Sequence, residues 1–308
     1  MNWMNPAPHI FTLTGNLLAE RTLEFATWAP GATHRAQRES FQVGGKGINV
    51  SKMLNRLGAP NTALCFTGGS AGEECVVWLT ERGFSYRAFG TNRPTRTGTV
   101  IRSLEQAETT FLGVDVVPSP AALRGCAEFL DDQRDGQILA VCGSLPGWAA
   151  SDYEPLRAAL ERWATRGLLV ADTYGPPLAW FARRALALVK INESELRTLT
   201  GDHRPTPEIL ARLPAAFATE RWVISNGPHP VWFRDTTGLP DALLPPTVHE
   251  ISPTGSGDVL LASLLVSLFH DHLPLPVAVE RALPLSAANA AHPGIAEFPE
   301  AAVGNRPR

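Results

Sequence analysis

The hydrophobic pattern changes character about a third of the way along the chain. Up to about Thr110, apolar residues mostly alternate with polar ones. "IFTLTG" begins a strand, and "RTLEFATW" and "HRAQRESFQV" alternate as half-exposed strands do. "GTVIRSLE" and "ETTFLGV" read as two more strands, joined through the polar pair Gln106-Ala107. One stretch breaks the alternation. Ile48, Val50, Met53, Leu54 and Leu57 of "GINVSKMLNRLG" recur at helical spacing, with Gly58 as a stop. Alternation puts Leu23 and Phe25 on one face and Thr22 and Glu24 on the other. So small a sheet cannot keep an apolar face in water, so it must close on a cleft or pair with another copy.

After about residue 119 helix and strand alternate. "AALRGCAEFLDDQ", "YEPLRAALERWATRG" and "ESELRTLTG" are helical, while "GQILAVCGS", "LLVADT", "ALALVKIN" and "RWVISNG" are apolar strands. This order predicts a parallel, doubly wound α/β sheet, with the N-terminal strands as a small second sheet inserted into the same domain. Ligands of such sheets sit at the carboxyl ends of strands. Polar residues gather there: Gly143-Ser144, Asp172-Thr173, Lys190 to Asn192 and Ser225 to Gly227. The longest apolar run, Val259 to Phe269, falls short of the roughly 20 residues a bilayer span needs, so it predicts a buried helix.

The totals narrow the partners. A chain of 308 residues with 44% apolar content can bury one large domain, 1–308. With 19% charged residues and a net charge of −3, it has no basic excess for nucleic acid or an anionic membrane. Cys65, Cys75, Cys126 and Cys142 form no C-x-x-C pair and no cluster with histidine, which argues against structural zinc and for reduced thiols in a cytoplasmic protein. "MNWMNPAPHIFTLTGN" has neither the basic nor the apolar segment of a signal peptide.

The stretch most suggestive of chemistry is "PTGSGD", placed before the apolar run. Gly255 and Gly257 let a ligand approach the backbone. The first N–H groups of the helix point outward at the positive end of its dipole, a ready anion site. Asp258 at that mouth can cap the helix. It can equally accept a proton from an attacking hydroxyl while the amides hold developing charge. The second stretch is "VGGKGINVSKMLNRLG", a close-approach surface that fits neither the P-loop nor the dinucleotide fingerprint.

These stretches, with "CGSLPGWAASDY", "VADTYGPPL", "KINESEL", "SPTGSGDVLLASLL" and "AANAAHPGIAEF" in this order, resemble the ribokinase-like sugar kinases of the phosphofructokinase B type, above all the branch acting on 1-phosphofructose and tagatose 6-phosphate. The resemblance covers nearly the whole chain. It implies a ribokinase-like α/β fold, a mostly parallel sheet flanked by helices, with lid segments at about 20–43 and 94–113. It implies an ATP-dependent, Mg²⁺-using enzyme that phosphorylates a sugar or sugar phosphate and forms a homodimer through the lid. By matching position, Asp258 is the base, and Gly255, Ser256 and Gly257 form the anion hole. Asn192 and Glu195 hold magnesium through water. Lys190, Asn192, Ser225, Gly227 and Asn289 fall at the nucleotide, with Asn289 beside adenine. Asn16, Glu20, Gly45, Lys46, Asn49 and Arg96 fall at the sugar. Lys46, Arg96 and Arg35 are candidates to grip a substrate phosphate.

The sugar end departs from the family pattern. A leucine, Leu17, replaces a proline, and Glu20 stands where a shorter aspartate is expected. Pro230 ends the nucleotide loop in place of a glycine and lacks an N–H. Thr97-Gly98 replace the Ile-Asn that follows the arginine, and the later lid stretch is reduced to "TTFLGVDVVPSP". An active kinase of shifted substrate is the first expectation. A sugar-phosphate-binding paralogue without turnover, or a kinase of nucleosides or other small alcohols, are the alternatives.

Overall fold

The two hydrophobic periods correspond to two sheets. The computed structural model describes residues 7–103 and 105–300, so Leu104 of the predicted strand "GTVIRSLE", the first six residues of the N-terminal stretch and residues 301–308 lie outside the described residues. The chain runs through β1 (Ile10–Thr14), β2 (Leu18–Phe25), β3 (Arg38–Gly44), α1 (Lys46–Arg56), β4 (Asn61–Thr67), α2 (Gly69–Glu81), β5 (Tyr86–Gly90), β6 (Arg96–Ser103) and β7 (Thr109–Leu112). It continues with α3 (Pro120–Asp131), β8 (Ile138–Cys142), α4 (Glu154–Arg166), β9 (Leu168–Asp172), α5 (Pro176–Ala182), β10 (Leu188–Asn192) and α6 (Glu193–Thr200). The last elements are α7 (Thr206–Arg212), β11 (Trp222–Ser225), β12 (Val231–Arg234), β13 (Asp241–Leu243), α8 (Ser256–Phe269) and α9 (Leu275–Ala290).

The large sheet has the order β13-β12-β11-β10-β9-β8-β1-β4-β5. Its pairings are parallel from β5 to β11, and β12 and β13 add antiparallel at one edge. Helices cover both faces, which is why these strands are apolar throughout. In β8, Ile138, Ala140 and Cys142 join the core with α1, α8 and α9, while Leu139 and Val141 join the core with α3 and α4. Twelve of the fourteen residues of α8 are buried, so the run Val259–Phe269 is the predicted buried helix. Among the described residues no helix is long and apolar enough to cross a membrane. All four cysteines are buried and free.

The first third is less purely β than its alternation suggests. "IFTLTG" is β1, in the interior of the large sheet, and β4-α2-β5 is a full βαβ unit of that sheet. The remaining strands form a mixed four-stranded sheet, β3-β2-β6-β7. Here β2 lies antiparallel to β3 and parallel to β6, and β6 lies antiparallel to β7. Ala19 and Val43 of this sheet pack with Cys75, Trp78 and Leu79 of α2. Its other face, with Leu18, Glu20, Gln42, Val100 and Thr110, looks into a cleft of about 930 Å³.

Candidate active site

The opposite wall of that cleft is made by the carboxyl ends of strands and the start of α8. Gly255 caps α8 in the left-handed conformation, φ 79°, and a Cβ there would collide with Ile295. The loop therefore needs glycine at this position. The Ser256 N–H is spent on the Pro253 carbonyl at 3.2 Å and the Asp258 N–H on Gly255 at 3.0 Å. Those of Gly255 and Gly257 have no partner among the described residues. Fewer amides are therefore open at this mouth than the three-residue reading expects, because the Ser256 amide holds the turn itself. At Gly257, an added Cβ would lie 2.5 Å from Lys190 Nζ, so the bare backbone lets this lysine reach the helix mouth.

Asp258 is 5% exposed in the first turn of α8, and Asn49 Nδ2 donates to its Oδ2 at 2.7 Å. Its side chain bonds to Asn49, across the cleft, and no side-chain bond caps the helix. Burial pushes its carboxyl up to about 6, and neighbouring Asp172 adds to the rise. Lys46, Lys190 and the Asn49 hydrogen bond pull it partly back.

Beneath it lies a carboxylate that the motif reading left out of the site. Asp172, the last residue of β9, is fully buried and accepts from Lys46 Nζ at 2.7 Å and from Lys190 Nζ at 3.0 Å. Burial alone would raise its pKa, but the two ammoniums outweigh this and hold it below the usual carboxylate range. Burial likewise opposes the Lys46 charge, yet Asp172, Asp258 and Glu195 together hold that ammonium well above its ordinary value. The available signal in the sequence was an acid ending an otherwise apolar strand.

Asn192 caps α6, with Glu195 N–H donating to Asn192 Oδ1 at 2.9 Å and Asn192 N–H to Glu195 Oε2 at 2.8 Å. Glu195 Oε1 stays 4.0 Å from Lys46 Nζ. Glu193, in the same turn, accepts from the Asn226 amide and so braces the loop after β11. Ser225, Gly227 and Pro228 line the cleft there, whereas Pro230 does not, so the missing N–H of Pro230 takes no amide from the cleft wall. Among the described residues no group of three or more His, Cys, Asp or Glu is close enough to hold a metal ion.

At the far end, Glu20, Gly45, Lys46, Asn49 and Arg96 all line the cleft. Glu20 is 8% exposed, accepts from the Gln42 amide across β2 and β3, and is pushed up by burial, partly offset by that bond. Arg96 donates to Asp115 Oδ1 at 3.2 Å and to the Asn16 carbonyl at 3.3 Å, and its buried Nε has no partner among the described residues. Asn16 lies behind the cleft wall, with its amide donating to Asp115 and Ser144. Arg35 is exposed and outside the cleft lining.

Asn289, expected beside adenine, is fully buried in α9. Its Nδ2 donates to the Thr254 carbonyl at 2.9 Å and to Ser256 Oγ at 3.1 Å, and its Oδ1 accepts from Ala296 N–H at 2.7 Å. It braces the loop before α8. Leu244 to Val248, a coil after β13, and Ser286, Ala287 and Ala290 of α9 form the wall near it. Sequence reasoning missed this coil, which carries no periodicity.

The profile of the pfkB family carbohydrate kinases matches residues 15–301. A 1-phosphofructokinase of Xanthomonas campestris pv. campestris is 32% identical over 275 residues, 84% of each chain. Among solved structures, the phosphofructokinase-2 from Escherichia coli in complex with fructose-6-phosphate matches with a TM-score of 0.83 at 23% identity, over 92% of this chain and 94% of that one. Ribokinase from Thermotoga maritima matches with a TM-score of 0.70 at 15% identity, over 97% of this chain and 100% of that one.

Proposed function

Because the chain belongs to the pfkB family of carbohydrate kinases, we propose that it transfers the γ-phosphoryl group of ATP to a hydroxyl of a ketohexose phosphate. The observation that carries this reading is the buried Asp258, held by Asn49 beside the unpaired amides of Gly255 and Gly257. The hydroxyl oxygen bonds to the γ-phosphorus as the bond to the β-phosphate bridging oxygen breaks. The hydroxyl proton goes to Asp258, and ADP leaves. The transition state is loose, with charge spread over the phosphoryl oxygens, and amides and ammoniums fixed in a dry cleft stabilise it without reorganising. Asp172 keeps Lys190 at the helix mouth and Lys46 beside the reacting groups. The small sheet acts as a lid that keeps water from the phosphoryl group.

The phosphate end brings three carboxylates, Asp172, Asp258 and Glu195, against the ammoniums of Lys46 and Lys190. A divalent cation arriving with the nucleotide complements that balance. Mg²⁺ takes few protein ligands and keeps its waters, so Glu195 and Asn192 suit it through water, and it would neutralise charge on the phosphates. Ser225 and Gly227 border the nucleotide. Arg96 in the cleft lining suits a substrate phosphate, and Glu20 with Gln42 suits sugar hydroxyls.

The test is ADP release with ATP and Mg²⁺ against fructose 1-phosphate, fructose 6-phosphate, tagatose 6-phosphate and free ketohexoses. A phosphorylated ketohexose should exceed its free sugar in kcat/KM by at least about tenfold, the worth of one charge-assisted contact. Equal use of both, or no ADP release with any, would remove the proposal.

The pH profile follows from Asp258. A base must be unprotonated, so kcat/KM for the sugar should fall about tenfold per unit below pH about 6 and level off above it. A flat profile from pH 5 to 7 would contradict the assignment.

The face of the small sheet turned away from the cleft carries Leu23, Ile101 and Phe111, the last 57% exposed. We assign this face to a second copy of the chain. Sedimentation at micromolar concentration should return a dimer, and a monomer would exclude the pairing.

A further inference from the structure

Arg102 and Glu108 face each other across β6 and the start of β7, continuing the register Gly98 with Leu112 and Val100 with Thr110. Opposite charges there form a cross-strand pair. Arg102 Nε donates to Glu108 Oε2 at 2.6 Å. The pair also reaches across the cleft. Arg102 donates through its terminal nitrogen to the Pro293 carbonyl at 2.6 Å, and Ser252 Oγ donates to Glu108 Oε1 at 3.4 Å.

The two segments touched are the walls of the anion-binding loop. Ile251 and Ser252 donate their N–H groups to the Ala290 carbonyl at 2.8 and 3.1 Å. Asn289 ties Thr254 and Ser256 to Ala296, and Ile295 fills the space beside Gly255. Thus the 289–296 segment is the rear support of residues 254–257, and Arg102 bonds to that support from the small sheet. The guanidinium side chain is 27% exposed and the carboxylate 18%, so both are shielded enough for a charge-assisted bond to hold position.

We propose that Arg102, oriented by Glu108, is a positioning residue that couples the seating of the small sheet to the geometry of the Gly255 and Gly257 amides. The catalytic loop is then held in its working shape only when the sheet is docked over the sugar. This rests on the kinase reading above. It adds to it a pair that lines the cleft near Glu20 and bonds to the walls of the loop, Pro293 and Ser252, and not to Asp258 or residues 255–257.

Two measurements test it. The first needs no substrate: hydrogen exchange of the bonded amides of Ser252, Ser256, Ala291, His292 and Ala296, compared between the parent and Arg102→Ala. Exchange there should accelerate at least about tenfold, while the strands of the large sheet stay protected. The second is kinetic. Arg102→Ala should lower kcat by about tenfold to a hundredfold, the scale of a small misplacement of the reacting groups. Its KM for ATP should stay within about threefold. Arg102→Lys, which keeps a cation within reach of Pro293, should recover part of kcat. Unchanged exchange overturns the proposal, as does a kcat within about twofold of the parent. A kcat loss that Lys does not recover, and that follows a lowered melting temperature, overturns it too. If no sugar phosphate is turned over by the parent, the kinase reading fails, while the exchange comparison still decides the clamp.

Discussion

Replacing Asp258 with asparagine should give a folded protein that binds ATP and hardly turns over. The change keeps the shape of the side chain, and an amide oxygen can still accept from Asn49. What is lost is a group able to take the hydroxyl proton, worth about 10²–10⁴-fold in rate. The fold should not suffer. An acid whose pKa is raised on folding adds its stability below its unfolded value near 4, and loses it as pH climbs through its folded value, here about 6. At pH 7 the parent therefore buries an unwelcome charge that the amide avoids, and the variant should melt no lower. Calorimetric titration with ATP, beside single-turnover phosphoryl transfer, separates the two effects. A variant keeping more than about a third of parental turnover, with chemistry rate-limiting, removes the base role.

Asp172→Ala should instead damage the fold itself. The carboxylate is fully buried and is the shared partner of Lys190, 3% exposed, and of Lys46. Removing one member of such a group leaves buried charge uncompensated, which costs about 3–5 kcal/mol. Lys190 would have to draw in water or swing toward another partner, and either result moves it from the mouth of α8. Denaturant unfolding should show a midpoint lowered in proportion, with an unchanged slope. Glu195→Ala serves as the comparison, because Glu195 lies at the edge of the cluster, 4.0 Å from Lys46. A loss below about 1 kcal/mol for Asp172→Ala would mean that water already solvates the two lysines.

What the sequence made legible follows from where one physical demand dominates. Strands such as "ILAVC" are covered on both faces, so their unbroken apolar character reveals a parallel sheet. The small sheet was visible because its strands mix polar and apolar residues, as in Arg21, Thr22 and Glu24 among the apolar residues of β2, unlike the unbroken apolar strands of the large sheet. The βαβ unit from Asn61 to Gly90 was less legible. α2 opens on Gly-Ser-Ala-Gly and has only four buried residues, so its amphipathic signal is weak. α9 hides a proline, Pro284, where a proline ordinarily ends a helix. In the site, Asp258 and Lys46 announced themselves through glycine-rich surroundings. The bracing role of Asn289 was not legible from its motif, because the three bonds that turn its amide inward come from residues 254, 256 and 296. Arg102 and Glu108 became a pair only once the strand register was known.

The crossing pattern of the small sheet has a consequence for how the chain assembles. β2 pairs along its whole length with β6, yet the entire stretch from β3 through β5 lies between them in sequence. Until β4, α2 and β5 have joined the large sheet, β2 has only its neighbour β3 to lie against. A lone two-stranded ribbon is marginal in water. Closing so long a loop slows any pairing that depends on it. The sheet that covers the cleft is therefore a late product of folding. During synthesis β2 must wait for β6 to emerge, exposing Leu23 and Phe25 meanwhile. That interval is when the nascent chain is most open to pairing with the wrong strand.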